Sequence, residues 1–359
     1  MPSYRNADEA APELIQRAVA DRQHLLRCET EDFLRRRCAD YDERRARYWQ
    51  RDYSSLEAFA ASVAPNRQRW QEALGAFGAP TGALEAEMEP FLEDEHLLAR
   101  WVTVEVWPGV NARAVLALPK QRTGPRPLVV CQHGIGSSPE RVFGFDDPSA
   151  IYHAYGRRLC AAGYAVLAPL HITEGPPRAR LTRLCVMLGG TLWGLEVQKL
   201  QRLLDLCATY AEVDASRIAM YGISLGGAYT MFALPLEPRI GVGIVCAWYN
   251  DRVRKMAFDN GPLYSCFLST NEEHILIRHW LTEFADSDLA SLICPRPLLI
   301  QTGKADGIAW WPLVVEEFER ARQHYERLGL GERIELDLHS GGHEIHLETA
   351  ERFLGRWLG

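Results

Sequence analysis

Residues 217 to 231 read Arg217-Ile-Ala-Met-Tyr-Gly222-Ile-Ser224-Leu-Gly226-Gly-Ala-Tyr-Thr-Met231. The apolar run over 218–221 suits a buried strand, and 227–233 opens as a helix. A serine held on a sharp turn between strand and helix needs small neighbours, because the backbone folds back onto itself. Gly222 and Gly226 supply that room, and the strained turn lifts the Ser224 hydroxyl above the sheet edge. The pattern alone is common. Its flanking strand and helix, and the polar residues at the ends of the other strands, give it weight.

Outward from this turn, strand and helix signals alternate. Residues 101–107 alternate apolar and polar, Pro108-Gly109-Val110-Asn111 turns the chain, and 112–118 returns as a hairpin. The continuous apolar run 128–131 is typical of a central parallel strand. A helix is expected over 148–162, a strand over 164–169, an irregular stretch containing Gly175-Pro176-Pro177, and a helix over 194–211. Beyond the turn come strand 240–246, strand 297–301, helix 312–328, strand 334–338 and helix 345–358. A hairpin followed by such alternation folds as a mostly parallel sheet covered on both faces.

Residues 8–88 read as helical, with Asp8 and Pro12 marking a start. Leu34, Tyr41 and Tyr48 repeat every seven residues, with Val19, Leu26 and Phe33 on a neighbouring stripe, so one face must pack on something. The expected organisation is a helical module over 1–88, covering the main domain or forming a homodimer, and a catalytic domain over 89–359. Cap-like insertions over 171–195 and 249–290 interrupt the latter, and the second carries Phe258, Tyr264, Phe267, Trp280 and Phe284.

At 359 residues, 47% hydrophobic and 24% charged, the chain can bury a sizeable core. Its net charge of −7 argues against nucleic acid as a partner, since phosphates require a basic face. Acidic residues interleave Arg35-Arg36-Arg37 and Arg44-Arg45, which reads as a solvated helix face. Nine cysteines are scattered without a Cys-x-x-Cys pair, and Cys131 and Cys246 lie in apolar runs, so reduced thiols are expected. No apolar run resembles a signal peptide or a membrane span of roughly 18 residues, so a cytoplasmic location without membrane partners is expected.

Ligands of parallel sheets gather at the carboxyl ends of the strands, and His133, Ser224, Asp306 and His343 all follow strand ends. A serine hydroxyl needs a base, and the base an orienting acid. His343 follows the last strand in His339-Ser340-Gly341-Gly342-His343, where two glycines free the loop to swing an imidazole inward. His339 and His346 compete with it. Asp306 precedes Gly307 as many turn aspartates do, but the order Ser, Asp, His selects it over Asp251. An oxyanion needs two fixed donors: the N–H of Leu225 at the helix N-terminus and an N–H from the His133-Gly134-Ile135-Gly136 loop, that of Ile135. His133 is expected to hold that loop rather than move protons. The loop lacks the third glycine of a dinucleotide fingerprint, position 139 being Pro, and the histidines lack the spacing of a metal helix, so no cofactor is expected. Trp248 and Trp310 stand beside these loops, as pocket lining or as core.

These residues together resemble the α/β-hydrolase superfamily, in particular the bacterial esterase branch near dienelactone hydrolases and acetyl xylan esterases. The similarity spans 102–359 and rests on the His133-Gly134 loop, Thr191-Leu192-Trp193-Gly194-Leu195-Glu196, the elbow, Pro295-Arg296-Pro297-Leu298-Leu299 and Gly341-Gly342-His343-Glu344. Dienelactone hydrolases proper carry cysteine where this chain has Ser224. The resemblance implies an α/β-hydrolase fold and a serine hydrolase acting on a small acyl substrate. Ser224 would be nucleophile, His343 base and Asp306 acid. Thioester, amide and acyl-transfer chemistry remain open to the same three residues, as does a catalytically silent binding protein.

Overall fold

Alternation along single strands decides which side chains meet above and below the sheet. In β4 (Arg126–Gln132) Leu128 and Val130 enter one core while Val129 and Cys131 enter the other. In β6 (Val213–Ile223) Ile218 and Met220 point one way, Ala219, Tyr221 and Ile223 the other. Both faces are therefore buried, as expected of strands apolar at every position. The computed structural model describes residues 11–120, 124–257 and 275–359.

The remaining strands are β1 (Ala86–Glu93), β2 (Leu97–Trp107), β3 (Val110–Pro119), β5 (Ala165–Pro169), β7 (Ile240–Cys246), β8 (Leu298–Gly303) and β9 (Ile334–His339). They form one sheet in the order β1-β2-β3-β5-β4-β6-β7-β8-β9. The β2–β3 hairpin pairs antiparallel to β1 and β5, and from β5 to β9 every neighbour is parallel. Helices Leu192–Cys207, Leu225–Ala233, Asp286–Ile293 and Trp311–Glu326 bury side chains in one core. Helices Tyr155–Ala162 and Leu347–Trp357 bury theirs in the other.

The amino-terminal segment departs from expectation. Helices span Pro12–Arg36, Tyr41–Ala46 and Leu56–Leu74, and strand β1 then begins at Ala86, inside the span read as helical. Helix Leu56–Leu74 packs into the core of the sheet, to which its Phe59, Val63, Trp70, Ala73 and Leu74 belong. Its end is locked to helix Leu192–Cys207: the Thr191 hydroxyl donates to the Leu74 carbonyl at 2.6 Å and caps its own helix at Gly194 N–H. A Cβ on Gly194 would lie 1.8 Å from the Gly75 carbonyl oxygen, so only glycine permits this approach.

The first helix behaves differently. Ala18 is its one buried residue, while Val19, Leu26 and Phe33 are 47%, 57% and 56% exposed. Asp8, read as part of its start, lies outside the described residues, and Pro12 is the first helical residue. The stretch over 171–195 is more regular than expected. Gly175-Pro176-Pro177 opens helix Gly175–Met187, prolines being tolerated in a first turn whose N–H groups need no helical partner. In the other insertion, Phe258, Tyr264 and Phe267 lie outside the described residues, while Trp280 and Phe284 are buried core.

Candidate active site

Ser224 sits between β6 and helix Leu225–Ala233 with φ 59° and ψ −121°, a strained conformation of positive φ for a non-glycine residue. Its neighbours must be glycine. A Cβ on Gly222 would come within 2.1 Å of the Gly226 carbonyl oxygen, and one on Gly226 within 2.3 Å of that of Gln132. The Ser224 N–H donates to the Cys246 carbonyl at 2.9 Å, tying the turn to the end of β7.

Asp306 and His343 come together because two loops are knitted at the ends of β8 and β9. The Lys304 N–H donates to the His339 carbonyl and the Ala305 N–H to that of Gly341, each at 2.9 Å. Gly303 lies so close to this loop that a Cβ there would meet the Gly342 carbonyl oxygen at 2.2 Å. The outcome is a 2.8 Å hydrogen bond from His343 Nδ1 to Asp306 Oδ2, with the carboxylate buried and the imidazole partly open to solvent. The other carboxylate oxygen of Asp306 accepts from the Ile308 N–H at 2.9 Å.

The competing residues have other partners. Asp251 accepts from the Arg254 N–H at 3.0 Å, opening helix Arg252–Ala257. His346 bonds Asp337 at 2.6 Å, and His339 stacks on His346 with ring centroids 4.7 Å apart.

The loop after β4 lies against the serine: a Cβ on Gly134 would be 3.3 Å from Ser224 Cβ. The Gly134 N–H already donates to the Tyr152 hydroxyl at 3.0 Å, which leaves the following amide, Ile135, as the candidate donor. His133 is fully buried and bonds the Gly134 carbonyl at 3.0 Å through Nδ1, while Nε2 accepts from the His171 N–H at 3.2 Å. This pattern fits the Nδ1–H tautomer and a ring that holds the loop. Burial lowers its pKa to about 4, so it is neutral at ordinary pH.

That shift has a testable sign. A ring whose folded pKa is depressed contributes stability fully above its unfolded value of about 6.5 and loses it as pH falls toward 4. His133→Gln, which cannot titrate, should remove this slope. Between pH 6 and 4.5 wild-type unfolding free energy should fall more steeply than the variant's by about 1.4 kcal/mol per pH unit in urea titrations. Parallel profiles would mean that His133 is charged in the folded protein.

Tyr152 escaped sequence reasoning because 148–162 reads as one helix. Helix Tyr155–Ala162 starts later, and Asp147 instead accepts the N–H groups of Ile151 and Tyr152. The Asp147-Pro148 pair was the available turn signal. The two tryptophans also separate. Trp248 packs edge-on to Phe232 at 6.0 Å and stacks with Trp280 at 6.3 Å, under the Arg252 guanidinium. Trp310 is 38% exposed just before helix Trp311–Glu326. Trp248→Ala should therefore cost about 3 kcal/mol of stability. Trp310→Ala should change KM while leaving Tm nearly unmoved. Equal Tm losses would place both in the core.

A nine-stranded, mostly parallel sheet with a serine elbow after β6 and an Asp–His pair after β8 and β9 defines an α/β-hydrolase fold, and this chain has that fold. Solved structures agree. A glucuronoyl esterase from Solibacter usitatus superposes with a TM-score of 0.64 at 15% identity, covering 85% of this chain and 94% of that one. An acetyl xylan esterase from Paenibacillus sp. R4 gives 0.55 at 19% identity, covering 89% and 99%. In sequence, a Bacillus subtilis (strain 168) protein named "Putative hydrolase YtaP" is 26% identical over 261 residues, 69% of this chain and 84% of its own. No family model matches the sequence.

Proposed function

We propose that this chain hydrolyses a carboxylic ester through a covalent acyl-Ser224 intermediate. The observation that carries this reading is the His343–Asp306 bond at 2.8 Å, in the chain order Ser, Asp, His, with Ser224 held on a strained elbow against the Gly134 loop. Nδ1–H of His343 donates to Asp306, so Nε2 is the basic nitrogen. It takes the hydroxyl proton as Ser224 Oγ attacks the carbonyl carbon. The oxyanion is held by the Ile135 and Leu225 N–H groups, the latter at the positive end of its helix. Collapse breaks the bond to the alcohol oxygen, which receives the proton from His343. Water then attacks the acyl-enzyme by the same route, releasing the acid and regenerating Ser224. The esterase names of the structural neighbours and the hydrolase name of the Bacillus relative support this reading.

A fluorophosphonate probe should form one adduct, located on Ser224 by mass spectrometry, and abolish turnover of p-nitrophenyl acetate. Ser224→Ala should be inert to both. An adduct on a cysteine, or full turnover by the variant, overturns the mechanism.

Two further assignments belong to this reading. The described cysteines are free, which supports a reducing, cytoplasmic setting. Among the described residues no helix is long and apolar enough to cross a membrane. The seven-residue seam of Val19, Leu26 and Phe33 stays exposed on helix Pro12–Arg36, and its spacing matches a second copy of itself. Sedimentation should show a dimer that Leu26→Glu with Phe33→Glu converts to monomer. A monomeric wild type removes the assignment.

A further inference from the structure

A cavity of about 620 Å³ opens at the same sheet edge as Ser224, on the side away from His343. Its wall includes Gly136 and Ser137 of the loop after β4, His171 after β5 and Arg113 of β3. The loop is shared, since Gly134 faces Ser224 and its next residues face the cavity. Three residues of chain span at most about 10 Å. Strand spacing gives a similar reach: β5 lies two strands from β6, roughly 10 Å.

The charge of the cavity is uneven. Arg113, Arg141 and Lys199 line it, against Asp146 and Glu174. Asp146 is engaged by Arg141 at 3.5 Å. Lys199 projects from helix Leu192–Cys207 and is half-buried; among the described residues no hydrogen bond or ion pair holds its ammonium. The opposite charge acting on it is Glu196, one turn back, which is itself paired with buried Arg178 at 3.4 Å. Arg113 stands near enough to act on Lys199 as a like charge. With Asp146 held by Arg141, Glu174 is the carboxylate of the wall that remains to oppose exposed Arg113 and half-buried Lys199, and an anion bridging the two cations supplies the missing charge.

Strand order assigns that anion to one half of the substrate. The leaving alcohol must sit by His343, which protonates it, and His343 follows β9, three strands beyond β6. The acyl part therefore extends the other way, toward β4, β5 and the cavity. Resting on the ester-hydrolase reading, we propose that Lys199 and Arg113 bind an anionic head, carboxylate or phosphate, at the far end of the acyl group, making this a hydrolase for acidic acyl esters.

The test compares p-nitrophenyl hemiesters of a graded series of dicarboxylic acids with their methyl-capped neutral counterparts. At the best chain length the acidic substrate should have a kcat/KM at least about tenfold above its neutral counterpart. The ratio should fall to near one in Lys199→Met and, separately, in Arg113→Gln, with p-nitrophenyl acetate turnover unchanged in both. A ratio near one at every length in the wild type, or one that both variants keep, overturns the proposal. Failure to turn over p-nitrophenyl acetate would instead count against the ester-hydrolase reading. Calorimetry on full-length Ser224→Ala with the free dicarboxylic acid and with a monoalkyl phosphate needs no turnover. Binding of either that Lys199→Met abolishes supports the proposal and names the head, and binding of neither overturns it.

Discussion

Asparagine at position 306 is expected to lower kcat by about four orders of magnitude while leaving the fold intact. Asp306 Oδ2 accepts from His343 Nδ1, and Oδ1 accepts from the Ile308 N–H. Asparagine can keep the second bond through its carbonyl oxygen, which then turns its NH₂ toward His343. The ring would be driven to the opposite tautomer, with Nε2 protonated and unable to take the Ser224 proton. The buried carboxylate would also no longer offset the imidazolium formed during attack. Asp251→Asn should cost less than about tenfold, because Asp251 accepts from the Arg254 N–H at a helix start. Steady-state turnover of p-nitrophenyl acetate and circular dichroism on the same samples separate chemistry from folding. If Asp251→Asn were the damaging change, the acid would belong to the loop after β7.

The elbow and the Asp–His pair were legible because each is dictated by short-range sterics. Gly222, Gly226 and Gly303 stand where an added Cβ would collide with backbone, and one on Gly341 would meet the Glu344 carboxylate; such constraints leave a local trace in sequence. Strand β1 left none. It is an edge strand with no fully buried position, and Pro90 with the adjacent Phe91-Leu92 ends the alternation after four residues. Helix Gly175–Met187 was hidden by the prolines of its first turn. It is fixed by a partner far along the chain, Arg178 reaching both Glu196 and the Tyr229 hydroxyl of the elbow helix. Tyr152 was hidden in the same way, since its task is to hold Gly134 across a loop whose left-handed residues sequence does not announce. Contacts between distant segments, rather than local propensity, separate what could be read from what could not.

The same distinction governs the amino-terminal segment, where the seven-residue periodicity marks Tyr41, which is buried against Val253 and Ala285, but otherwise marks exposed residues. Of the stripe residues Val19, Leu26, Phe33, Leu34 and Tyr48 are exposed and Tyr41 is buried, whereas Trp70, outside both stripes, is fully buried. Its ring meets Phe232 of the elbow helix at 5.2 Å and Phe284 at 5.1 Å, and its N–H donates to the Phe232 carbonyl at 3.2 Å. Around it, Arg45 and Arg51 bind buried Asp288, and the Trp49 N–H donates to the Glu283 carbonyl at 2.7 Å. The helix behind Ser224 thus rests on residues far upstream of the sheet. Trp70→Ala should lower unfolding free energy by about 3–5 kcal/mol, read as a fall in the urea midpoint, whereas Phe33→Ala should change it by less than about 0.5 kcal/mol. A chain beginning at Glu85 removes Trp49, Phe59, Val63 and Trp70 together and should not fold to a phosphonate-reactive state. One beginning near Asp40 loses only the exposed helix and should retain both stability and labelling of Ser224. If the shorter chain matched the full protein in stability and labelling, the amino-terminal helices would be an accessory, and the core under the elbow would have to be complete without them.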